Sequence, residues 1–418
     1  MTELPALLRA HRGRLVARLA RSLGLGHLAL AEDAVQTACV RALDHWPRQG
    51  LPAQPVAWLY RVARHAAIDA LRRTAPWQPL DDGDADIPAP VAAEGRFAGE
   101  LDDDELALLF AACHPALPMA SQVALALQAL AGLDLDTLAE GLLTTPAALA
   151  QRLARARRQL HDQVLAVPAG SALAPRREAV LRALLVMFNA GWSAEGERAR
   201  ALCWEAIRLA RALSAHAATA HADADALAAL LLLHGARLTG RSDADGERVP
   251  LPGQPRDRWD QGLLRLGLWH LQRSQSAVAL SRWHLMAGIA AEHATATDPV
   301  HTRWSRIVAL YEALLRVEPG AAPRLPHAIA LAEAGDAARA RALLEALQPE
   351  VPDALRPHLH AALSQALRRL GQPGPARDHL DRAIACVRHE ADRRLLLRRR
   401  AEVFGRDAGA AVQPASRG

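Results

Sequence analysis

Three groups of side chains carry recognition chemistry in this sequence. Arg61, Arg64, His65 and Arg72 recur at intervals of three, four, seven and eleven residues, and Arg73 extends the row. Guanidinium groups in such a row can lie along phosphates, and histidine can donate to or stack on a base. Gln151, Arg152, Arg155 and Arg158, with Arg157 at their flank, form a second group. Arginine can clasp guanine O6/N7 and glutamine adenine N6/N7, and both also bind phosphate. The third group, Glu32, Asp33, Gln36 and Arg41, is mixed in charge and by itself reads as a solvated helix face. All of this is binding chemistry. His114, His234, His284 and Asp257 stand out only because they are polar. The sequence holds no nucleophile elbow, phosphate loop, HExxH or paired metal-ligand spacing, so it is not read as an enzyme.

Helices must present these groups. In LALAEDAVQTACVRALDHW, the apolar residues Ala31, Val35, Ala38, Cys39 and Ala42 share one face and leave the third group on the polar side. In PVAWLYRVARHAAIDALRR, Pro55 suits a first helical turn, where its missing N–H costs nothing. Leu59, Val62, Ala63, Ala66 and Ala70 are expected to form its buried stripe. In LDLDTLAEGLLTTPAALAQRLARARRQLHDQV, a short helix precedes Thr145-Pro146, a side-chain cap followed by proline at the first helical position. The next helix is expected to bury Leu149, Leu153, Ala156, Leu160 and Val164, giving a helix-turn-helix. Taken singly, each of these helices also fits an ordinary solvated, charged face.

Composition sets the frame. The 418 residues include 4% aromatics, and β-branched residues are sparse, which favours helices and an all-α fold. The net charge is +5, and every basic residue is arginine. Arginine-only usage first reflects codon choice in a GC-rich genome; the guanidinium forks still suit phosphates and guanine edges. The charge is unevenly placed: about +6 over residues 1–75, about −9 over 76–105, about zero over 106–165 and about +8 beyond. Cys39, Cys113, Cys203 and Cys386 are scattered without ligand spacing and are expected to be buried free thiols. No metal or cofactor is expected. MTELPALLRAHRGRL lacks a signal-peptide core, and no apolar run reaches membrane-spanning length, so the chain is read as cytoplasmic with no membrane partner.

The chain divides by pattern into a helical block (1–75), an acidic, proline-rich linker (76–105), a second block (106–165), a third region (176–404) and a tail (405–418) expected to be disordered. Two segments of the third region align at a 36-residue offset, placing Gly335 over Gly371, Ala340 over Ala376 and Leu344 over Leu380. Each reads as a helix, a glycine turn and a second helix, features that resemble tetratricopeptide repeats.

AEDAVQ-x-A and AWLYRVAR-x-AAIDALRR together resemble the second conserved region of RNA polymerase sigma factors of the extracytoplasmic-function (ECF) type. AALAQRLARARRQL resembles the recognition helix of the fourth region, and the upstream ACHPALPMASQVALAL resembles its entry in one subgroup. FNAGWSA, LLLLHGARL, RDRWDQGLL and IVALYEALL resemble the C-terminal extension of that subgroup. The resemblance implies two small sigma-type helical domains, 1–75 and 106–165, followed by a tetratricopeptide-like helical array at 176–404.

It also implies partners. Glu32, Asp33, Gln36 and Arg41 would bind core RNA polymerase at the β′ clamp, with a further contact at the β flap. Arg61, Arg64, His65, Arg72 and Arg73 would engage the promoter −10 element, and Thr145, Gln151, Arg152, Arg155, Arg157 and Arg158 the −35 element. The connector would thread the polymerase, where its aspartates could mimic phosphate or serve as a solvated spacer. Three positions depart from the family: Thr37 where an acid is common, His65 where asparagine is common, and Ala190 where an acid often follows the asparagine. The array is expected to hold a protein or peptide partner and to regulate the sigma module in cis. A helix-turn-helix regulator or repeat adaptor that never joins polymerase, and a pure scaffold, are the competing readings.

Overall fold

A computed structural model of the chain describes residues 3–74, 97–131, 135–142, 144–160, 172–193, 196–243, 245, 247–277, 279–387 and 390–405. Among these the architecture is all-α; the sole sheet-like feature is an isolated antiparallel bridge between Ser242 and Arg248. The chain forms two compact units, residues 1–220 and 221–418.

The first unit opens with α1 (Glu3–Leu23), α2 (Leu28–Gln49) and α3 (Pro55–Thr74), each packed on the other two. α2 buries Ala31, Ala34, Val35, Ala38, Ala42 and Trp46, the spacing expected of one helical face, while Cys39 is half-buried at its edge. The buried line of α3 runs Leu59, Ala63, Ala67; Val62, Ala66 and Ala70 are half-buried beside it. The buried line thus includes Ala67, which the expected stripe omits. Trp46 meets Trp58 edge-on at 5.3 Å and closes the α2–α3 junction.

α4 (Phe97–Ala112) begins inside the segment whose composition reads as a linker. It packs on α1 and on α5 (Met119–Ala131), and α5 also packs on α1. The reason is its C-terminal half, where Leu106, Leu108, Leu109 and Phe110 are all at most 1% exposed. Gly13 permits the α1–α5 crossing: a Cβ there would sit 2.7 Å from the Leu130 carbonyl oxygen. α6 (Leu135–Gly141) and α7 (Pro146–Gln159) follow, and both pack on α5.

The last two helices of this unit are α8 (Ala174–Ser193) and α9 (Glu197–Ala215). α8 lies against α5 and α4, and Arg176 donates to the Phe110 carbonyl at 3.3 Å. FNAGWS ends α8. Phe188 is buried and stacks on Trp192 at 5.6 Å, and Gly191 lets α9 cross where a Cβ would lie 2.4 Å from the Ala199 oxygen. The string is therefore a packing signature, with Asn189 exposed and Ala190 half-buried.

The second unit is a succession of helices, each packed on its neighbours in the chain: α10 (Ala222–Gly235), α11 (Gln261–Ser274), α12 (Arg282–Thr295), α13 (Trp304–Val317), α14 (Ala321–Glu333), α15 (Ala337–Leu347), α16 (Arg356–Arg369), α17 (Pro373–Cys386) and α18 (Glu390–Phe404). The 36-residue offset is real in space. Gly335 and Gly371 have φ of 102° and 70° between paired helices, and Ala340, Ala376, Leu344 and Leu380 are all buried at equivalent places. Leu325, Leu344, Leu347, Leu359 and Leu363 share one core. Glu333 accepts from Arg369, 36 residues on, at 2.5 Å.

Candidate functional site

α3 presents its basic row outward. Arg61, His65, Arg72 and Arg73 are exposed and Arg64 half-buried, while Arg73 Nε donates to the Asp69 carbonyl at 3.2 Å. Among the described residues no carboxylate pairs with these arginines. The opposite face is anchored by Leu59, Ala63 and Ala67, and Arg18 of α1 lies 5.0 Å over the Tyr60 ring. The row is therefore held rigidly by packing and left available for phosphate oxygens.

The neighbouring face of α2 is mixed. Asp33, Gln36 and Arg41 are exposed. Thr37 donates to the Asp33 carbonyl at 2.9 Å, so its hydroxyl is satisfied by its own helix. Val40 and Leu43 lie in the same row as Asp33 and Gln36, at 59% and 46% exposure, and Leu51 beyond the helix end is 60% exposed. Sequence reasoning missed these apolar residues. Their signal was present: they fall at helical spacing from Gln36 and off the buried stripe, where an unburied valine and leucine call for a partner.

Glu32 differs from its neighbours. Its side chain is 11% exposed and its carboxylate accepts from Arg157 of α7 at 2.9 Å, across 125 residues of sequence. Burial pushes its carboxyl up, with the Arg157 and Arg12 guanidiniums pulling the other way. The structure thus joins a residue of the α2 group to one of the α7 group.

α7 begins as its sequence requires. Thr145 Oγ1 accepts from the Ala148 amide at 3.3 Å, and Pro146 occupies the first turn. Leu149, Leu153, Ala156 and Leu160 are buried; Val164 lies outside the described residues. Gln151, Arg155 and Arg158 are exposed, Arg152 is half-buried, and Arg157 alone turns inward to Glu32. Arg158 Nε donates to its own helix at the Ala154 carbonyl, 3.4 Å away.

The acidic segment ends in a buried ion cluster. Glu105, 2% exposed, accepts from Arg208 of α9 at 2.6 Å and faces Arg14 of α1 at 3.5 Å. Asp104 pairs with Arg21 of α1. Burial pushes the Glu105 carboxyl up to about 7, with Arg208 and Arg14 opposing that rise. The aspartates of DDGDAD lie outside the described residues.

Two of the remaining polar residues, His114 and His284, make local hydrogen bonds. His114 Nδ1 accepts from the Ala116 amide at 3.1 Å. His284 Nδ1 accepts from the Ser281 amide at 3.2 Å in a capping box. His234 is held neutral by burial, its pKa pushed down to about 3. Asp257 sits in the first turn of a short 3-10 segment. Among the described residues no three metal-ligating side chains converge, and no helix is long and apolar enough to cross a membrane. All four cysteines are free; Cys113 and Cys203 are buried, and Cys39 and Cys386 are only half-buried.

An outward arginine helix is packed on a helix with a mixed exposed strip and is followed in the chain by a capped basic helix. Residues 8–76 match the family model for Sigma-70 region 2, and residues 176–275 match a family of unknown function (DUF6596). The chain is similar to an uncharacterized protein of Rhizobium meliloti (strain 1021), 35% identical over 383 residues and covering 88% of each. No solved structure matches it. The chain shares a family with the Rhizobium meliloti protein, and a sigma-70 region 2 at the N-terminal side with the DUF6596 segment beyond it is consistent with an ECF-like sigma factor carrying a C-terminal extension. The region 2 match supports a sigma factor role in transcription initiation and implies interaction with core RNA polymerase and promoter DNA.

Proposed function

We propose that α2 and α3 act as one recognition surface: Asp33, Gln36, Arg41, Val40 and Leu43 dock on the β′ clamp of core polymerase while Arg61, Arg64, His65, Arg72 and Arg73 engage the −10 element. The observation that carries this is the packing of the two helices through Trp46 and Trp58. That packing carries the basic row and the mixed strip on two helices joined into one support. A coiled-coil surface would cover Val40 and Leu43, and the flanking polar groups would fix register. Strand opening follows from capture of unpaired bases and phosphates by the basic row, with no covalent step.

α6 and α7 form the −35 reader in this proposal, supported by the capped entry at Thr145 and the exposed Gln151, Arg155 and Arg158. Arg152 and Arg157 complete the basic set, and the second block reaches the β flap. The helical succession of the second unit resembles a tetratricopeptide array and serves as a regulatory platform for a protein or peptide partner. The protein acts in the cytoplasm.

Reconstitution tests the reading. Leu43→Glu should abolish association with core polymerase, whereas Arg61→Ala with Arg64→Ala should preserve association and abolish promoter opening. A chain that binds promoter DNA but never core polymerase would instead be a helix-turn-helix regulator or adaptor.

A further inference from the structure

Three short stretches of the second unit bring their basic groups to one tryptophan. His234 lies at the end of α10, with Arg237 and Arg241 just past it. Arg256 and Trp259 stand in the turn before α11, and His293 near the end of α12. Trp259 is 3% exposed. The Arg256 guanidinium stands 4.5 Å from the centre of its ring and the Arg237 guanidinium 5.6 Å. Arg256 also donates to the His293 carbonyl at 2.9 Å, and Arg237 Nε to Gln254 Oε1 at 3.2 Å, so both side chains are held in place. None of these residues belongs to the surfaces of α2, α3 and α7.

The cluster is rich in donors and positive charge. Guanidinium and indole groups carry N–H donors and no acceptor. Trp259 Nε1 is buried, and among the described residues no acceptor meets it. Gly240 leaves that edge of the ring uncrowded, since a Cβ there would stand 3.1 Å from the nitrogen. A buried N–H without an acceptor is costly and calls for a partner. Nearby carboxylates are engaged locally: Glu247 with Arg394, Asp260 with the Leu263 amide, and Asp298 with His301. Burial pushes the Arg237 guanidinium down to about 10, and the charges of Arg241 and Arg256 push the same way. His234 and His293 are also pushed down, first by burial and then by neighbours that include Arg237. Like charges gathered in a withdrawn place are stabilised by an anion among them.

We propose that Arg237, Arg241, Arg256 and the Trp259 N–H form a binding site for a small phosphate-bearing anion. Phosphate suits the site better than a single carboxylate does. Its two charges match several guanidiniums, and its tetrahedral oxygens accept from donors that arrive from different directions. All four residues lie in the segment that matches DUF6596, so the site gives that segment a ligand. The donors come from the end of α10 and the turn before α11, and Arg256 is bonded to α12. An anion held among them ties these elements together, so occupancy stabilises the start of the helical succession.

The test follows the indole N–H of Trp259 by nuclear magnetic resonance in the full-length chain labelled with nitrogen-15, the signal being assigned by its loss in Trp259→Phe. Inorganic phosphate, titrated at constant ionic strength, should shift that signal saturably and raise the melting temperature, and acetate should do neither. Adenosine monophosphate, titrated in the same way, distinguishes the source of the phosphate: tighter binding than inorganic phosphate assigns the site to a phosphate ester, and weaker binding to the free ion. Arg256→Gln, at a half-buried position, should weaken phosphate binding by about tenfold or more with circular dichroism unchanged. Should that variant lose its helices, Arg241→Gln, also half-buried, takes its place with the same expected loss. A Trp259 signal that neither phosphate nor the nucleotide moves overturns the site. So does a shift that acetate reproduces, or one that a folded arginine variant leaves intact. The measurement involves no polymerase, so its failure leaves the docking and promoter roles of the first unit untouched.

Discussion

Glu105 accepts a 2.6 Å hydrogen bond from Arg208, 103 residues away, and the two stand on opposite sides of a boundary that composition alone would draw. Glu105 closes an acidic stretch, and Arg208 lies within the segment that matches DUF6596. With Arg14 at 3.5 Å, the carboxylate ties the first helix, the fourth and the ninth into one unit. Removal of Arg208 leaves a buried carboxylate with only a more distant counter-charge. Arg208→Ala should therefore destabilise the first unit by on the order of 3 kcal/mol, and Glu105→Gln by clearly less. Amide exchange of α4 in the full chain reads both values; equal losses would contradict the account.

Truncation should show where the sigma module ends. α8 and α9 pack on α4 and α5, with Arg176 bonded to Phe110 and Arg208 to Glu105. A chain cut after Ala220 should melt cooperatively and stay monomeric. One cut before Arg176 removes the helices that pack on the apolar α4 and α5, and should aggregate or bind hydrophobic dye. Identical melting of the two fragments would show that the extension begins later than its packing indicates.

The two units should respond oppositely to mild acid. The Glu105 carboxyl titrates near 7 when folded and near 4.5 when unfolded, so the folded state holds the extra proton between those values. Its contribution to stability is present below pH 4.5 and declines as pH rises toward 7. In the second unit, burial and Arg237 push His234 down to about 3, and burial with Arg237 and Arg256 pushes His293 down to about 4. Unfolding lets both take up protons below pH 6.5, so their contribution is present above 6.5 and lost as pH falls toward 4. Exchange protection of α10 and α12, corrected for intrinsic rates, should fall between about pH 7 and about pH 5. Glu105→Gln should flatten the opposite trend in α4.

Local chemistry was legible in the sequence where a few adjacent residues decide the outcome. Thr145-Pro146 starts α7 because a hydroxyl and a missing N–H act within one turn. Gly335 and Gly371 mark paired turns because a positive φ favours glycine. The basic row of α3 was legible from spacing alone, although its buried line also takes in Ala67. What depends on distant partners was not legible. Asp104 and Glu105 read as linker acids until Arg21 and Arg208 meet them from 83 and 103 residues away. Helical spacing puts Arg157 at the flank of its row, but its pairing with Glu32 depends on the packing of α7 and is written in neither local segment.

Salt should separate the roles of the two faces of the first unit. Every phosphate that α3 ceases to neutralise lowers the slope of log affinity against log salt by about one. Arg61→Ala with Arg64→Ala should reduce the slope for holoenzyme on promoter DNA by about two, leaving association with core polymerase unchanged. An unchanged slope would place these arginines away from the phosphates.

The most direct measurement is association of the purified full-length chain with core RNA polymerase, followed by initiation on the promoter of its own gene. A stable complex that initiates there is the predicted result, with Asp33→Arg or Leu43→Glu abolishing both association and transcript. Failure of the wild-type chain to associate at low salt, or association that Asp33→Arg and Leu43→Glu leave intact, would contradict the assignment of α2 as the docking helix.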